Sequence, residues 1–324
     1  LGSPPPSHAV EPGPTVRPEA ASAAARIPDA EHVPALMPTR GRVAPADAFV
    51  PGRAPFSVTV DGRPIPFAIH SVLVLPGTTV VVESRGSTLE FGSGRVSPRG
   101  EGRWAWEAPT TPGIVPLRVI RDGSVVELVA FVLHPRPRGR LATLDRYRIG
   151  EYRETPLRGH TEYLPPEGFI EVHALDEDIR VSPHVTLGEI LCKQPGDPRF
   201  ATFTPDLLEK LEWVLEEMNA SGYSVGALTV MSGFRTPWYN RSIGNTTDYS
   251  RHLWGDAADV FVDRDGNGAM DDLNGDGRVN VADARVLVDV VERARDRAGS
   301  GFKAGGLSAY RPNAVRGPFV HVDA

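Results

Sequence analysis

The sequence predicts a multi-domain protein: an N-terminal β-sandwich followed by an α+β domain on an antiparallel sheet. Three observations carry that prediction. The chain of 324 residues exceeds the usual size of one domain. From Phe49 to Leu133, short runs of alternating apolar residues are broken by Gly and Pro turns. Beyond residue 200, an amphipathic helix and isolated strand-like runs replace that pattern.

Residues 1–45 are rich in Pro, Ala and Ser and have no sustained apolar period. Such a segment buries too little surface to offset its ordering entropy, so it reads as a Pro/Ala-rich flexible tether. Residues 46–134 form the expected β-sandwich module. Phe56, Val58 and Val60 share one face before an Asp61-Gly62 turn, "SVLVLPGTTVVVES" splits at Pro76-Gly77, and "SVVELVAFVLH" closes the series. No titratable cluster marks this module, which points to packing or binding without catalysis.

Residues 135–200 begin "PRPRGR" and read as a linker and extended lead-in to a second domain at 201–324. There "TPDLLEKLEWVLEEMNASGY" is a predicted helix, with Thr204 as cap, Pro205 in the first turn and Gly222 at the stop. Leu207, Leu208, Leu211, Val214, Leu215 and Met218 line one face of it.

Composition removes several function classes. Apolar residues at 40% and charged residues at 23% are ordinary for a globular chain. The net charge of −6 argues against a nucleic-acid partner, which calls for a basic face. No apolar run reaches the ~20 residues that cross a bilayer, so no transmembrane segment is expected. Cys192 is the sole cysteine and can form no internal disulfide.

Two short stretches carry chemistry. "SRHLWGDAADVF" has the spacing H-x-x-G-x-A-x-D, with His252, Gly255, Ala257 and Asp259. The closing run "GPFVHVDA" is a strand in which His321 and Asp323 leave on the same face. Two strands bringing His252, Asp259 and His321 to one point would make a His/Asp/His site. Three protein ligands with an open fourth position is the catalytic form of zinc, which acidifies its water and polarises a carbonyl.

"SGFRTPWYNRSIG", "SRHLWGDAAD" and "FVHVD" together resemble the M15 family of zinc D-Ala-D-Ala peptidases. The branch ending on an H-x-D strand, as in murein endopeptidases, is nearest. The resemblance covers roughly the second half of the chain, and "SPHVTLGEILCKQ" is similar to the family's lead-in. It implies a hedgehog/D-Ala-D-Ala peptidase-like fold and zinc on His252, Asp259 and His321. It also implies that Arg235 holds a substrate carboxylate or the tetrahedral oxyanion, a task its fork of donors suits. A surface turn arginine is the equal alternative.

Ser250 is expected near the metal or as a plain turn residue, and Trp254 as a wall of the substrate cleft or as core packing. Asn240 lines the site or serves its turn. Where many relatives carry a general-base glutamate, this chain has Pro318. Asp323 is therefore the expected base, with orientation of a zinc ligand as its other role.

The implied function is hydrolysis of amide bonds in peptidoglycan stem peptides, as carboxypeptidase or endopeptidase, in the periplasm or outside a bacterial cell. The alternative is a non-catalytic cell-wall-binding or adhesion module stabilised by zinc and calcium, which Pro318 favours.

Calcium enters through residues 263–283. Asp272, Asn274, Asp276, Asn280 and Asp283 fall at positions 1, 3, 5, 9 and 12 of an EF-hand loop, with Gly277 at 6 and the Arg278 carbonyl at 7. Aspartate at position 12 resembles dockerin loops. Asp263, Asp265, Asn267 and Asp271 look like another loop start, but its position 12 would be Asn274, which the second loop already uses. Two independent loops are excluded, and a shared or single-ion cluster stays open. The expected role of calcium is a structural staple between the two zinc-ligand strands.

Overall fold

The computed structural model describes Gly2 and residues 36–324. Most of the expected tether lies outside the described residues. Its last part, 36–45, lies against the body. The Thr39 N–H and hydroxyl both donate to Glu127, at 2.7 Å each, and the Gly41 N–H donates to the Asp178 carbonyl at 2.8 Å. Glu127 is buried, so those donors supply the partners a desolvated carboxylate needs.

Two sheets face each other across one apolar cluster in the N-terminal region. The five-stranded sheet runs in the order Arg63–Pro64, Thr59–Val60, Thr79–Glu83, Arg103–Glu107, Arg95–Pro98. The four-stranded sheet runs Ile69–Val74, Ser124–Val132, Gly113–Arg121, Thr88–Phe91, and its first pair is parallel. Val80, Val82, Trp104 and Trp106 meet Leu117, Val119, Val126 and Leu128 between them.

The strand Ser124–Val132 explains how this region joins the rest. Val126, Leu128, Ala130 and Val132 point into that cluster, while Val129, Phe131 and the following Leu133 belong to a second, larger one. A strand buried on both faces must read as a continuous apolar run, and "VAFVL" does. Phe131 meets Phe203 edge-on at 5.6 Å between centroids, and Phe67 meets Trp213 at 5.5 Å. Residues 135–200, read as linker and lead-in, are largely folded into the larger cluster. The strand Gly168–Val172 pairs with His134–Pro135 and Arg199–Ala201, burying Phe169, Ile170 and Val172.

The helix Pro205–Ala220 sits at the junction. Thr204 accepts from the Leu207 N–H at 3.4 Å, and Gly222 carries the left-handed φ of +90° that ends the helix. Its apolar face is buried, and so are several of its charges. Glu212 accepts from the Ser182 hydroxyl at 2.6 Å and from the His184 N–H at 2.8 Å, and lies 2.6 Å from His184 Nδ1. "SPHVTLGEILCKQ" is thereby anchored to the helix. The last sheet is antiparallel, in the order Thr229–Ser232, Ala257–Phe261, Phe319–Asp323, Leu307–Tyr310. The helix Val281–Ala298 buries Leu287, Val290, Val291 and Ala294 in the same core.

Candidate metal centre

The register of the two central strands builds the site. Asp259 stands directly opposite His321. His252 arrives from the preceding 3-10 turn, Arg251–Trp254, which Gly255 terminates at φ +69°. A Cβ on Gly255 would lie 2.1 Å from the Thr202 carbonyl oxygen, so both conformation and space demand glycine there. Ala257 and Ala258 are wholly buried beside Asp259.

The three ligand-type side chains converge. His252 Nε2 is 3.3 Å and His321 Nδ1 2.9 Å from Asp259 Oδ1, and the imidazole centroids are 5.0 Å apart. Among the described residues, groups of three or more His, Cys, Asp or Glu with ligand atoms within 4.8 Å of one another number two; this is one.

Each imidazole is held from behind. His252 Nδ1 lies 2.7 Å from the Gly233 carbonyl and so carries the hydrogen, leaving Nε2 to face inward. His321 Nε2 lies 3.4 Å from Asp323 Oδ2, leaving Nδ1 to face inward. Two inward nitrogens and one carboxylate are the donor set a zinc ion takes, so the residues fit that metal.

Electrostatics agree with that arrangement. Burial alone would raise the pKa of Asp259, but hydrogen bonds from His252 and His321 and the nearby Arg235 charge hold it below the usual carboxylate range. Burial would lower the pKa of His321, yet Asp259 and Asp323 on its two sides push it up to about 9. A bound cation competes for the same inward nitrogen as that proton.

Arg235 is committed to the cluster. Its Nη2 donates to Asp259 Oδ2 at 2.9 Å and its Nε to the Ser232 hydroxyl at 2.9 Å. Asp323, expected as the base, sits on the far side of His321 from Asp259. Its other oxygen accepts from the Gly306 N–H. A Cβ on Gly306 would lie 2.6 Å from Asp323 Oδ2, so "AGG" leaves room for this carboxylate. From there it meets the outer nitrogen of His321 and is absent from the lining of the cavity over the cluster.

Trp254 belongs to an aromatic nest with Tyr152, Tyr163 and Tyr249, and its Nε1 donates to the Leu164 carbonyl at 2.8 Å. It packs the core and does not line the cavity. Ser250 does line it. Asn240 is buried and donates to the Asn245 and Thr247 carbonyls, holding the loop that forms one wall. The cavity over the cluster measures about 330 Å³ and adds Arg251, Tyr310 and Arg316, which sequence reasoning missed. Arg251 directly precedes His252 in "SRHLWGD", and the one signal for Tyr310 and Arg316 is that "YRPNAVRGPF" leads straight into the H-x-D strand. Among the described residues, Asp259 is the only carboxylate in the lining.

The 263–283 loop is organised differently. The second converging group is Asp263, Asp265 and Asp271, the incomplete loop start. Asp272 accepts from the Gly275 and Gly277 N–H groups at 2.8 and 2.7 Å, Asn274 from Asp276 at 2.9 Å, and Asp276 from Arg278 at 2.8 Å. Asn267 accepts from the Ala269 N–H. Asn280 caps the helix Val281–Ala298 through the Ala282 N–H, and Asp283 closes the capping box. Fully buried, Asp283 also accepts from Leu273 and Asn274 N–H groups. These two residues thus have a helix-capping role that the loop pattern alone did not reveal.

Among the described residues, no helix is long and apolar enough to cross a membrane. No curated protein and no solved structure matches the chain. Residues 183–274 match the family model described as Peptidase M15, a segment that includes Arg235, His252 and Asp259 and stops short of His321. Over that segment the chain is similar to M15 peptidases, a match that supports a peptidase of this family, whose members typically depend on zinc.

Proposed function

We propose that this protein is a zinc peptidase that hydrolyses amide bonds in peptidoglycan stem peptides, working in the periplasm or outside a bacterial cell. The convergence of His252, Asp259 and His321 on adjacent strands is the observation that carries this reading. His252 Nε2, Asp259 Oδ1 and His321 Nδ1 would hold the ion. Bound there, zinc supplies Lewis acidity toward a carbonyl and a water activated at neutral pH.

The rest belongs to the chain. The Gly233 carbonyl and Asp323 fix the tautomers of the two histidines. Arg235 balances Asp259 and keeps one arm of its guanidinium for charge developing on the substrate. Calcium in the 263–283 loop extends the reading: Asp272, Asn274, Asp276 and the Arg278 carbonyl would hold it, stapling the segment between the ligand strands. The N-terminal pair of sheets fits a β-sandwich module that braces this catalytic half.

The test uses the full chain, because the two halves share a core. Purified wall fragments are digested with zinc-loaded protein and the products weighed by mass spectrometry. Release of a new amine and a new carboxylate supports the proposal. Intact fragments with full zinc occupancy favour the second reading, a non-catalytic wall-binding module, for which Pro318 and the lack of a second carboxylate in the cavity lining speak.

A further inference from the structure

Beside the metal cavity lies a larger one, about 490 Å³, sharing Arg235 and Arg316 with it. Its floor is apolar, with Met231, Phe261 and Met270, and the exposed Ile243 and Val315 stand at its rim. Among the described residues its charged lining is Lys193, Arg235 and Arg316, with no Asp or Glu. That is unexpected in a chain of net charge −6. A groove of one sign with low-dielectric walls concentrates ligands of the other sign.

The cations here are not equivalent. Arg235 is tied to Asp259 and Ser232. Arg251, in the metal cavity, is tied to Asp256 and to the Glu162 and Ala324 carbonyls. Lys193 and Arg316 have no ion-pair partner among the described residues. The acids on the far side of Lys193, Glu177, Asp178 and Glu189, are themselves paired with Arg199, Arg40 and Arg42. Arg316 is nonetheless positioned: its guanidinium lies 4.6 Å over the Phe319 ring, and Phe319 stacks on Tyr310 at 4.7 Å. A free, oriented guanidinium at the junction of two cavities, with a free ammonium further along, is a receptor for carboxylates.

We propose that the substrate is an anionic peptide whose chain extends from the His252/Asp259/His321 cluster into the larger cleft, where Arg316 and Lys193 hold its side-chain carboxylates. This rests on the peptidase reading and adds to it the charge of the substrate and the cleft that receives that charge. Both residues act on binding, so their effect falls on KM.

The experiment compares soluble peptidoglycan peptides with the same peptides after carbodiimide-driven amidation of their carboxylates. Wild-type protein, Arg316→Gln and the double variant Lys193→Gln/Arg316→Gln are each measured for KM and, separately, for binding by calorimetry. Two partly enclosed ion pairs should give the wild type a preference for the carboxylate form of roughly five- to twentyfold, shrinking at high salt. The preference should fall in Arg316→Gln and vanish in the double variant, with zinc content and melting temperature unchanged. Equal handling of both forms by the wild type, or a preference that survives in the double variant, overturns the proposal. If the wild type cuts neither form, the peptidase reading fails, and calorimetry still decides: a carboxylate preference lost in the double variant upholds the cleft, and equal or absent binding sinks it.

Discussion

The His252/Asp259/His321 cluster and the 263–283 loop are neighbours in the chain, yet they satisfy their charges in opposite ways. Asp263, Asp265, Asp272 and Asp276 of the loop are served by backbone N–H groups two to five residues away, as Asp272 is by Gly275 and Gly277. Asp259 is served by side chains from three other segments: His252, His321 and Arg235. A carboxylate wrapped by its own loop keeps its shape without help from the fold. One held by distant cations exists only when the sheet is in register. A metal at the cluster therefore reports on tertiary structure, and a metal in the loop would mainly stabilise a local turn.

The largest expected effect separates the two directly. His252→Ala should abolish stoichiometric zinc binding and turnover, while Asp265→Ala in the loop should leave zinc in place. Metal analysis of both variants checks this, and zinc retained in His252→Ala would remove His252 from the ligand set.

Next comes Asp323→Asn. If Asp323 orients His321, zinc affinity and activity should drop together by about 10–100-fold. A fall of about 10²–10⁴-fold in turnover with zinc affinity intact would instead return Asp323 to the role of base. Gly306→Ala should reproduce the orienting effect without touching any charge, because its Cβ would crowd Asp323.

The loop's turn comes third. Protein stripped of calcium should melt a few degrees higher when the ion is restored, since binding to the folded state alone contributes about 2.7 kcal/mol at a hundredfold excess over Kd. Asp272→Ala should remove that shift. No change in melting at millimolar calcium would reduce the loop to a self-capped turn.

The smallest effect uses a buried acid that serves neither metal. Burial pushes the Glu209 carboxyl up to about 7, with Arg63 opposing and Asp206 adding to the rise. Between pH 4.5 and about 7 the folded protein keeps a proton that the unfolded chain releases. Its contribution is thus fully present below the unfolded pKa and lost as pH rises through about 7. His70, 3.4 Å away and lowered to about 4 chiefly by burial, works in the opposite sense: its contribution is present above pH 6.5 and lost as pH falls. Melting of Glu209→Gln minus wild type should therefore rise across pH 4.5–7 and level off above it. A flat difference would mean that Glu209 ionises normally in the fold.

Local rules made much of this protein legible in its residues. Strand period two puts His321 and Asp323 on one face, and the glycine of H-x-x-G-x-A-x-D marks a left-handed turn into a buried strand. The helix Pro205–Ala220 follows from its cap, its first-turn proline and its apolar spacing. The same rules stop at the distance of a turn. They say which face a side chain leaves, not which nitrogen of His321 it meets, so Asp323 reads as base first and brace second until the ring's other side is seen to face Asp259. They leave Trp254 open between cleft wall and core packing because its burial depends on tyrosines from 152 to 249. They read 135–200 as lead-in because its apolar residues are scattered between prolines and find partners only in strands far along the chain. The cationic cleft is the plainest case: Lys193, Arg235 and Arg316 lie in three separate stretches of the sequence, and because Coulomb's law acts through space the tertiary fold alone decides which charges share a groove.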